Sequence, residues 1–445
     1  MSNRSRALIV EDETALRKLG ANSLEHTHDA DARRKPSVVS TEPPVSLAEL
    51  NAKLAELSTV LPVSKSALDV YEMTRSQDWD LSQIAAAIQR DASLSADVLR
   101  RANSAFYNRS GRQIVGLDEA VLRIGAKRVG ELALAANALA ALTPNMVPWM
   151  DLELAWRRSM AAGIAVESLI DVGGHQATDQ GLLLSAIMYP LGRIALGMLF
   201  PKHYRSMVER CRQTGESLQE QERRLFPTSH TEIIAQVLAS WRIPSEVFLP
   251  LKSSFGDFAS LAELPEPTRT KAELVKLAIL FGRLAAARWE DWDLVQVPAP
   301  GVLSRLRIRD VAQIVQQTRS DLSKLAAFHP GRATAVQRNI EPSVQRGVAY
   351  CNPSGVEFDV LAELLPSLGI QPKALAVDEV QRLDEPSIVN CLGVSPDGFA
   401  STGNWSNALF VTDQEHREAF ARCGQTFALP DSYARFGEAV GFSTT

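Results

Sequence analysis

The chain has 445 residues, of which 45% are apolar and 22% charged, a balance that fits a folded protein of two or three domains and excludes a disordered one. A net charge of −5 leaves no basic surplus for a dominant nucleic-acid footprint. Cys211, Cys351, Cys391 and Cys423 lie far apart with no CxxC pair, so reduced thiols in the cytoplasm are expected, not a disulfide framework or a structural zinc site.

At the N-terminus, Arg6 and Glu11 bracket a four-residue apolar run, too short for a secretory core. The acidic cluster Glu11, Asp12 and Glu13 follows, and then an amphipathic stretch with Leu16 and Leu19 on one face. This resembles the first strand, acidic turn and first helix of a response-regulator receiver domain. There the acids help hold magnesium, because a hard cation wants carboxylate oxygens. The pattern does not continue: residues 26–45 are polar and proline-bearing and read as a linker.

From Ser46 to about Phe258 apolar residues recur at three- and four-residue spacing. The spacing predicts helices over 47–57, 81–88, 94–105, 117–124 and 129–142. Asp80 and Ser93 stand where N-caps are needed, and Gly116 and Gly125 punctuate the short helix between them. Residues 181–200 are long and apolar enough to suggest a membrane span, but Pro190, Gly192 and Arg193 interrupt them, which favours a buried helix pair. Residues 268–290 and 306–327 continue the helical theme.

After about Ser343 short apolar runs alternate with helical stretches. Strands are expected at 347–350, 374–377, 388–392, 408–411 and 426–429. Helices are expected at 356–368, ending at Gly369, at 414–422, stopping at Gly424, and at 432–440. The fold class is therefore mainly α, an all-helical bundle followed by a smaller α/β domain. The expected boundaries are 1–45 for a remnant or linker, 46–258 for the bundle, 259–342 for a helical extension and 343–445 for the α/β domain.

Five stretches of the bundle, in order, carry a family resemblance. They are Leu61-Pro62-Val63, then residues 84–92, then 94–107 with Arg101, Asn103, Ser104 and Tyr107, then 114–134, and finally His230, Trp241 and Pro244. Together they resemble the HDOD domain, a helical relative of the HD phosphohydrolases. The resemblance implies an output module of bacterial signal transduction that binds partner proteins. Asn103 and Ser104 are candidate ligand-binding groups. Their alternative use is to satisfy backbone groups of a neighbouring helix or loop, with Tyr107 as a packed ring whose hydroxyl is bonded.

An HD phosphohydrolase needs His and Asp on a metal that activates water. In this sequence Tyr189 and Pro190 stand where that pair would be, ahead of a retained Gly192-Arg193, and Lys252-Ser253-Ser254 stands where a later His would be. Proline has no ligand atom, and phenolic tyrosine is a poor one at neutral pH. His230 remains, but one histidine does not make a metal site, and His175, His203, His329 and His416 show no ligand spacing. No Walker loop or GxSxG elbow is present. The reading assigns no catalytic, metal or cofactor residues. It keeps Asn103, Ser104, Tyr107, Tyr189, Arg193 and His230 as ligand or family-motif positions, with Arg193 able to meet a phosphate.

In the last domain, residues 386–392 followed by Pro396-Asp397-Gly398, and then residues 408–430, resemble a degenerate receiver with a flavodoxin-like order. In that alignment Leu392 takes the place of the phospho-acceptor, Leu429 takes that of the lysine before the final proline, and Asp378 and Glu379 do not restore the acceptor. Another small α/β interaction domain stays open.

Three functions follow. The first is a non-catalytic signalling scaffold whose partners are signalling proteins, with no nucleic acid and no membrane, and with a homodimer open. The second is a metal-dependent phosphohydrolase or cyclic-dinucleotide phosphodiesterase with unusual ligands. The third is a non-hydrolytic nucleotide sensor, which a cationic pocket near Tyr189, Arg193 and His230 would favour.

Overall fold

The computed structural model describes residues 42–440, apart from 57–60, 62, 77, 105–106, 109, 141, 143–145, 177–180, 299, 328–345, 354–358, 383–384, 393, 397–404 and 406. The receiver-like stretch at Glu11–Glu13, Pro62, His329 and Asp397-Gly398 lie outside the described residues.

The first helices form a small cluster of their own: Lys65–Arg75, Leu81–Gln89, Ala92–Ala102, Leu117–Ile124 and Ala126–Ala140. Apolar residues at helical spacing, among them Ile84, Ile88, Val98, Val121, Ile124 and Val129, meet in a shared core. Asp80 caps its helix as expected, accepting from the Gln83 amide at 3.1 Å. Ser93 does not cap the next one. Asp91 takes that position, accepting from the Leu94 amide at 3.0 Å, and Ser93 falls inside a helix that begins at Ala92. A carboxylate at the positive helix end outcompetes a hydroxyl two residues on. Gly125 closes the short helix at φ 95°, a conformation that side-chain-bearing residues rarely adopt.

The main core is built on Leu152–Gly173, capped by Asp151 and buried along most of its length. Thr268–Ala286, buried nearly all round, packs lengthwise against it. Gly282 allows the approach, because a Cβ there would lie 2.6 Å from the Ala162 nitrogen. Residues 181–200 form the buried pair expected, Leu182–Met188 and Leu191–Leu199, bent by 42° at Tyr189-Pro190. Among the described residues no single helix is long and apolar enough to cross a membrane.

Seven strands are described: β1 Leu294–Val295, β2 Arg346–Cys351, β3 Ile370–Ala374, β4 Ser387–Asn390, β5 Ala408–Asp413, β6 Gln425–Leu429 and β7 Asp431–Ser432. Strands β2 to β6 form a parallel sheet in the order β3-β2-β4-β5-β6. Counted within the sheet this is 2-1-3-4-5, the flavodoxin-like doubly wound order. The second strand of the sheet corrects the expectation of 374–377. Gly369, at φ 76°, ends the preceding helical turn and delivers the chain straight into β3, where Ile370 is buried. Residues 377–380 instead form a helical turn that buries Val380. The helix expected over 414–422 shortens to Arg417–Phe420, since Asp413 accepts from the His416 amide and holds 414–416 in a turn.

β1 and β7 pair antiparallel, Leu294 facing Ser432 and Val295 facing Asp431, and so join the α/β domain to the helical core. The Tyr433 amide donates to the Asp293 carbonyl at 2.7 Å, and the Tyr433 ring stacks on Trp289 with centroids 5.7 Å apart. Tyr433 and Phe436 belong to the same apolar core as the helices.

Candidate functional site

Gly192 decides what the retained Gly192-Arg193 pair touches. A Cβ there would fall 2.1 Å from the His230 carbonyl oxygen, so only glycine lets Leu191–Leu199 lie this close to His230–Ser240. The contact brings Arg193 and His230 to Glu222, which reaches in fully buried from helix Leu218–Leu225. Glu222 accepts from His230 Nδ1 at 2.5 Å and from the Tyr204 hydroxyl at 2.7 Å, and lies 4.0 Å from Arg193 Nε. Burial alone would push the Glu222 carboxyl up. The His230 ring beside it, the bonds it accepts and the Arg193 guanidinium overcome this and hold it at about 2. Burial pulls the His230 pKa down, against the upward pull of Glu222. His230 Nε2 is buried without a hydrogen-bond partner.

Tyr189 and Pro190 sit at the helix break, facing a second set of charges. Arg158 Nη2 meets Asp293 at 2.7 Å and Arg158 Nη1 meets Glu290 at 3.3 Å. Arg283 lies 3.6 Å from Asp293 and lines the same cavity as Tyr189. Lys276 donates to the carbonyls of Ser254 and Gly256, at 3.3 and 2.7 Å, and to the Gln296 side chain. Burial, reinforced by Arg283, lowers the Lys276 pKa to about 7. Burial raises Glu290 to about 7 against the pull of Arg158, with Asp293 adding to the rise. Burial raises the phenol of Tyr189 above its ordinary value despite Arg283 and Arg158.

This donor set does not fit a divalent cation. Pro190 offers no ligand atom and Tyr189 stays protonated. The side chains that converge here, Arg158, Arg193, Arg283 and Lys276, are hydrogen-bond donors. Among the described residues no group of three or more His, Cys, Asp or Glu could hold a metal ion. In the place of the later histidine, Lys252 pairs with Glu232 at 2.7 Å, and Ser254 turns its hydroxyl onto the Leu251 carbonyl.

Arg193 lies between the two sets: it approaches the Glu222 carboxylate that His230 also meets, and it lines the cavity at Tyr189, with its side chain 16% exposed. Sequence reasoning missed Arg158, Glu222, Lys276, Arg283, Glu290 and Asp293. Their one signal was a charge inside an apolar helical run, as at Lys276 and Arg283 in residues 273–286.

Of the earlier motif residues, Arg101 and Tyr107 are anchored on Glu167, apart from Asn103 and Ser104. Arg101 makes an ion pair with Glu167, the Tyr107 hydroxyl donates to the same carboxylate, and the Arg101 guanidinium lies over the Tyr107 ring at 5.6 Å. Burial lowers the Arg101 pKa to about 10. Asn103 spends its amide on backbone groups. Its Nδ2 donates to the carbonyls of Leu99 and Ile114, and its Oδ1 accepts from the Ile114 amide. Ser104 is buried with no hydrogen-bond partner for its hydroxyl.

At the carboxyl end of the sheet, where the strand order reverses between β2 and β4, doubly wound folds bind ligands. Here Asp359 occupies that point. Its Oδ2 accepts from the Tyr350 hydroxyl at 2.5 Å and from Asn352 Nδ2 at 2.6 Å. Its Oδ1 accepts from Asn390 Nδ2 and from the amides of Leu361 and Ala362. Asn390 is the last residue of β4, and Leu392 lies two residues beyond it, half-buried.

Comparison with known proteins adds the following. The chain is similar to an uncharacterized protein of Treponema pallidum (strain Nichols), 22% identical over 200 residues, which are 45% of this chain and 38% of that one. Among solved structures it is similar to a provisionally named signal transduction protein from Marinobacter aquaeolei VT8, with 18% identity, 64% of this chain and 65% of that chain covered, and a TM-score of 0.48. It is also similar to an HDOD domain protein with unknown function from Geobacter sulfurreducens, with 15% identity, 65% and 98% covered, and a TM-score of 0.45. A third is a provisionally named phosphohydrolase from Shewanella amazonensis SB2B, with 20% identity, 63% and 95% covered, and a TM-score of 0.44. The chain thus spans about two fifths of the curated relative's length. The family model of the HDOD domain matches residues 60–253, and that part of the chain is an HDOD domain.

Proposed function

We propose that this chain is a non-catalytic signalling protein that works by binding partner proteins. The observation that carries the reading is the exchange of metal ligands for donors: Tyr189-Pro190 and the guanidinium groups of Arg158 and Arg283 stand where a metal and its water would have to be. Cations at that point raise the energy of a divalent ion and leave no group to lower the pKa of a water. The α/β domain supports the same reading, because Asp359 is committed to five internal donors at the end of its sheet and is not left open for a cation. A receiver ancestry for this domain and its use as a docking module belong to the proposal.

The test is hydrolysis of cyclic dinucleotides and phosphomonoesters by the purified chain, with magnesium or manganese supplied. The expected result is no turnover above buffer. Turnover that disappears in His230→Ala would contradict the proposal.

A second reading, a non-hydrolytic nucleotide sensor, is favoured by one observation, the cationic lining beside Tyr189 and Arg193. The segment that holds Glu290 and Asp293 also supplies β1, which pairs with β7 of the α/β domain, so a sensed ligand would lie next to the docking strand.

A further inference from the structure

A cavity of about 300 Å³ opens where the first helical cluster meets the end of helix Leu152–Gly173, with Tyr107, Arg123 and Arg128 on one side and Glu167, Ile170 and Asp171 on the other. Glu167 is taken up by Arg101 and the Tyr107 hydroxyl. Helix Leu117–Ile124 carries its acids, Asp118 and Glu119, in its first turn and Arg123 in its last, so its cationic end stands at the cavity. Residues 120–130, AVLRIGAKRVG, hold three cations and no acid. Arg123 and Lys127 are exposed, and neither has an ion-pair partner among the described residues. The turn between them is open, since a Cβ on Gly125 would meet nothing within 4 Å.

Two aliphatic side chains flank this cationic rim. Leu122, next to Arg123, is 64% exposed, and Val172, next to Asp171, is 50% exposed on a helix buried along most of its length. A single exposed leucine needs no explanation, but beside a cavity and unpaired cations it suits a protein surface that covers all three. Arginine clusters recognise acidic motifs, because each carboxylate takes charge-assisted bonds. Single-stranded nucleic acid would need open aromatic faces for stacking. Tyr107, the aromatic residue among the described lining, is 8% exposed, and the Arg101 guanidinium lies over its ring.

We propose that this rim docks an acidic segment of a partner protein, with carboxylates on Arg123 and Lys127 at the mouth of the cavity and apolar side chains over Leu122 and Val172. The proposal rests on the partner-binding reading and gives it a surface and a partner chemistry. The exposed cations set specificity and the rate of encounter, and covering the leucine and valine supplies the apolar share of the affinity.

The experiment is fluorescence anisotropy of labelled synthetic peptides titrated with the full chain. One peptide repeats Leu-Glu-Asp, a second Leu-Gln-Asn and a third Ser-Glu-Asp, and a labelled oligothymidylate of equal length is the fourth probe. The first is expected to bind at least about tenfold more tightly than each of the others. The double variant Arg123→Glu, Lys127→Glu is expected to weaken it at least about tenfold, and Leu122→Ser about threefold, with melting temperatures close to the parent's because all three side chains are exposed. Binding unchanged in the double variant would overturn this surface and leave the partner-binding reading standing. Equal binding of the second or third peptide would overturn the stated partner chemistry. Tighter binding of oligothymidylate, lost in the double variant, would make the rim a nucleic-acid site instead. No binding of the first peptide up to about 1 mM would overturn the proposal outright. Failure of the non-catalytic reading would show as turnover, which these titrations do not measure.

Discussion

Two buried charged clusters of this molecule, one in the helical domain and one at the end of the parallel sheet, are built in opposite ways. At the centre of the helical domain, arginines and carboxylates are buried together in pairs. Arg158, Arg193 and Arg283 line the cavity at Tyr189-Pro190, and the Nε atoms of Arg193 and Arg283 have no hydrogen-bond partner. At the end of the parallel sheet, charge is balanced to completion, with five donors converging on the single carboxylate of Asp359. Both arrangements disfavour a catalytic metal, the first by repulsion and the second by occupancy. They differ in what they leave available. Asp359 accepts five bonds, whereas the Nε atoms of Arg193 and Arg283 remain without a hydrogen-bond partner.

The comparison can be broken most forcefully at Glu222. Glu222→Ala leaves Arg193, His230 and Tyr204 without their shared acceptor in a fully buried place, and should cost about 3–5 kcal/mol in a urea melt. A loss below about 1 kcal/mol would mean that the centre is wetter than described.

Asp359→Ala should cost less, about 2–3 kcal/mol, because it removes a helix N-cap and unmakes the bonds from Tyr350, Asn352 and Asn390, part of which water can replace. A neutral result would show that the network adds nothing to the α/β domain.

Lys276→Met should have the smallest effect at neutral pH and the opposite sign, since it deletes a buried cation whose hydrogen-bond partners are neutral oxygens. The pH dependence sharpens this. Lys276 titrates at about 7 in the folded chain against 10.5 for an ordinary lysine, so between those values the folded state holds fewer protons than the unfolded one. Its contribution to stability therefore rises as pH climbs from about 7 towards 10.5, by at most ~1.4 kcal/mol per pH unit. Melting curves at pH 7 and 9 should show a gain in the parent that the variant lacks. Equal gains in both would assign the effect to another group.

How much of this was legible in the sequence depended on the range of the interactions. Leu117–Ile124 is found where expected because Gly116 and Gly125 bracket it locally. The choice between Asp91 and Ser93 as a cap was not legible, since both residue types cap and only the geometry of the entering chain selects one. β3 escaped because it is an edge strand. Ile-Gln-Pro-Lys-Ala shows one fully buried side chain, and its proline and lysine are the marks of an exposed edge. That residues 189–190 are not a His-Asp pair could be read from Tyr189-Pro190 alone. The cations that line the cavity there could not, because Arg158 and Arg283 come from helices more than a hundred residues apart and look locally like charges on an apolar face.

The most direct measurement of the central claim is metal binding by the full chain, read by calorimetric titration with manganese and zinc and by elemental analysis after gel filtration. The account predicts less than stoichiometric metal and no heat that is altered by Tyr189→Phe or His230→Ala. One metal per chain, retained through gel filtration and lost in either variant, would contradict it and restore a hydrolytic centre to this domain.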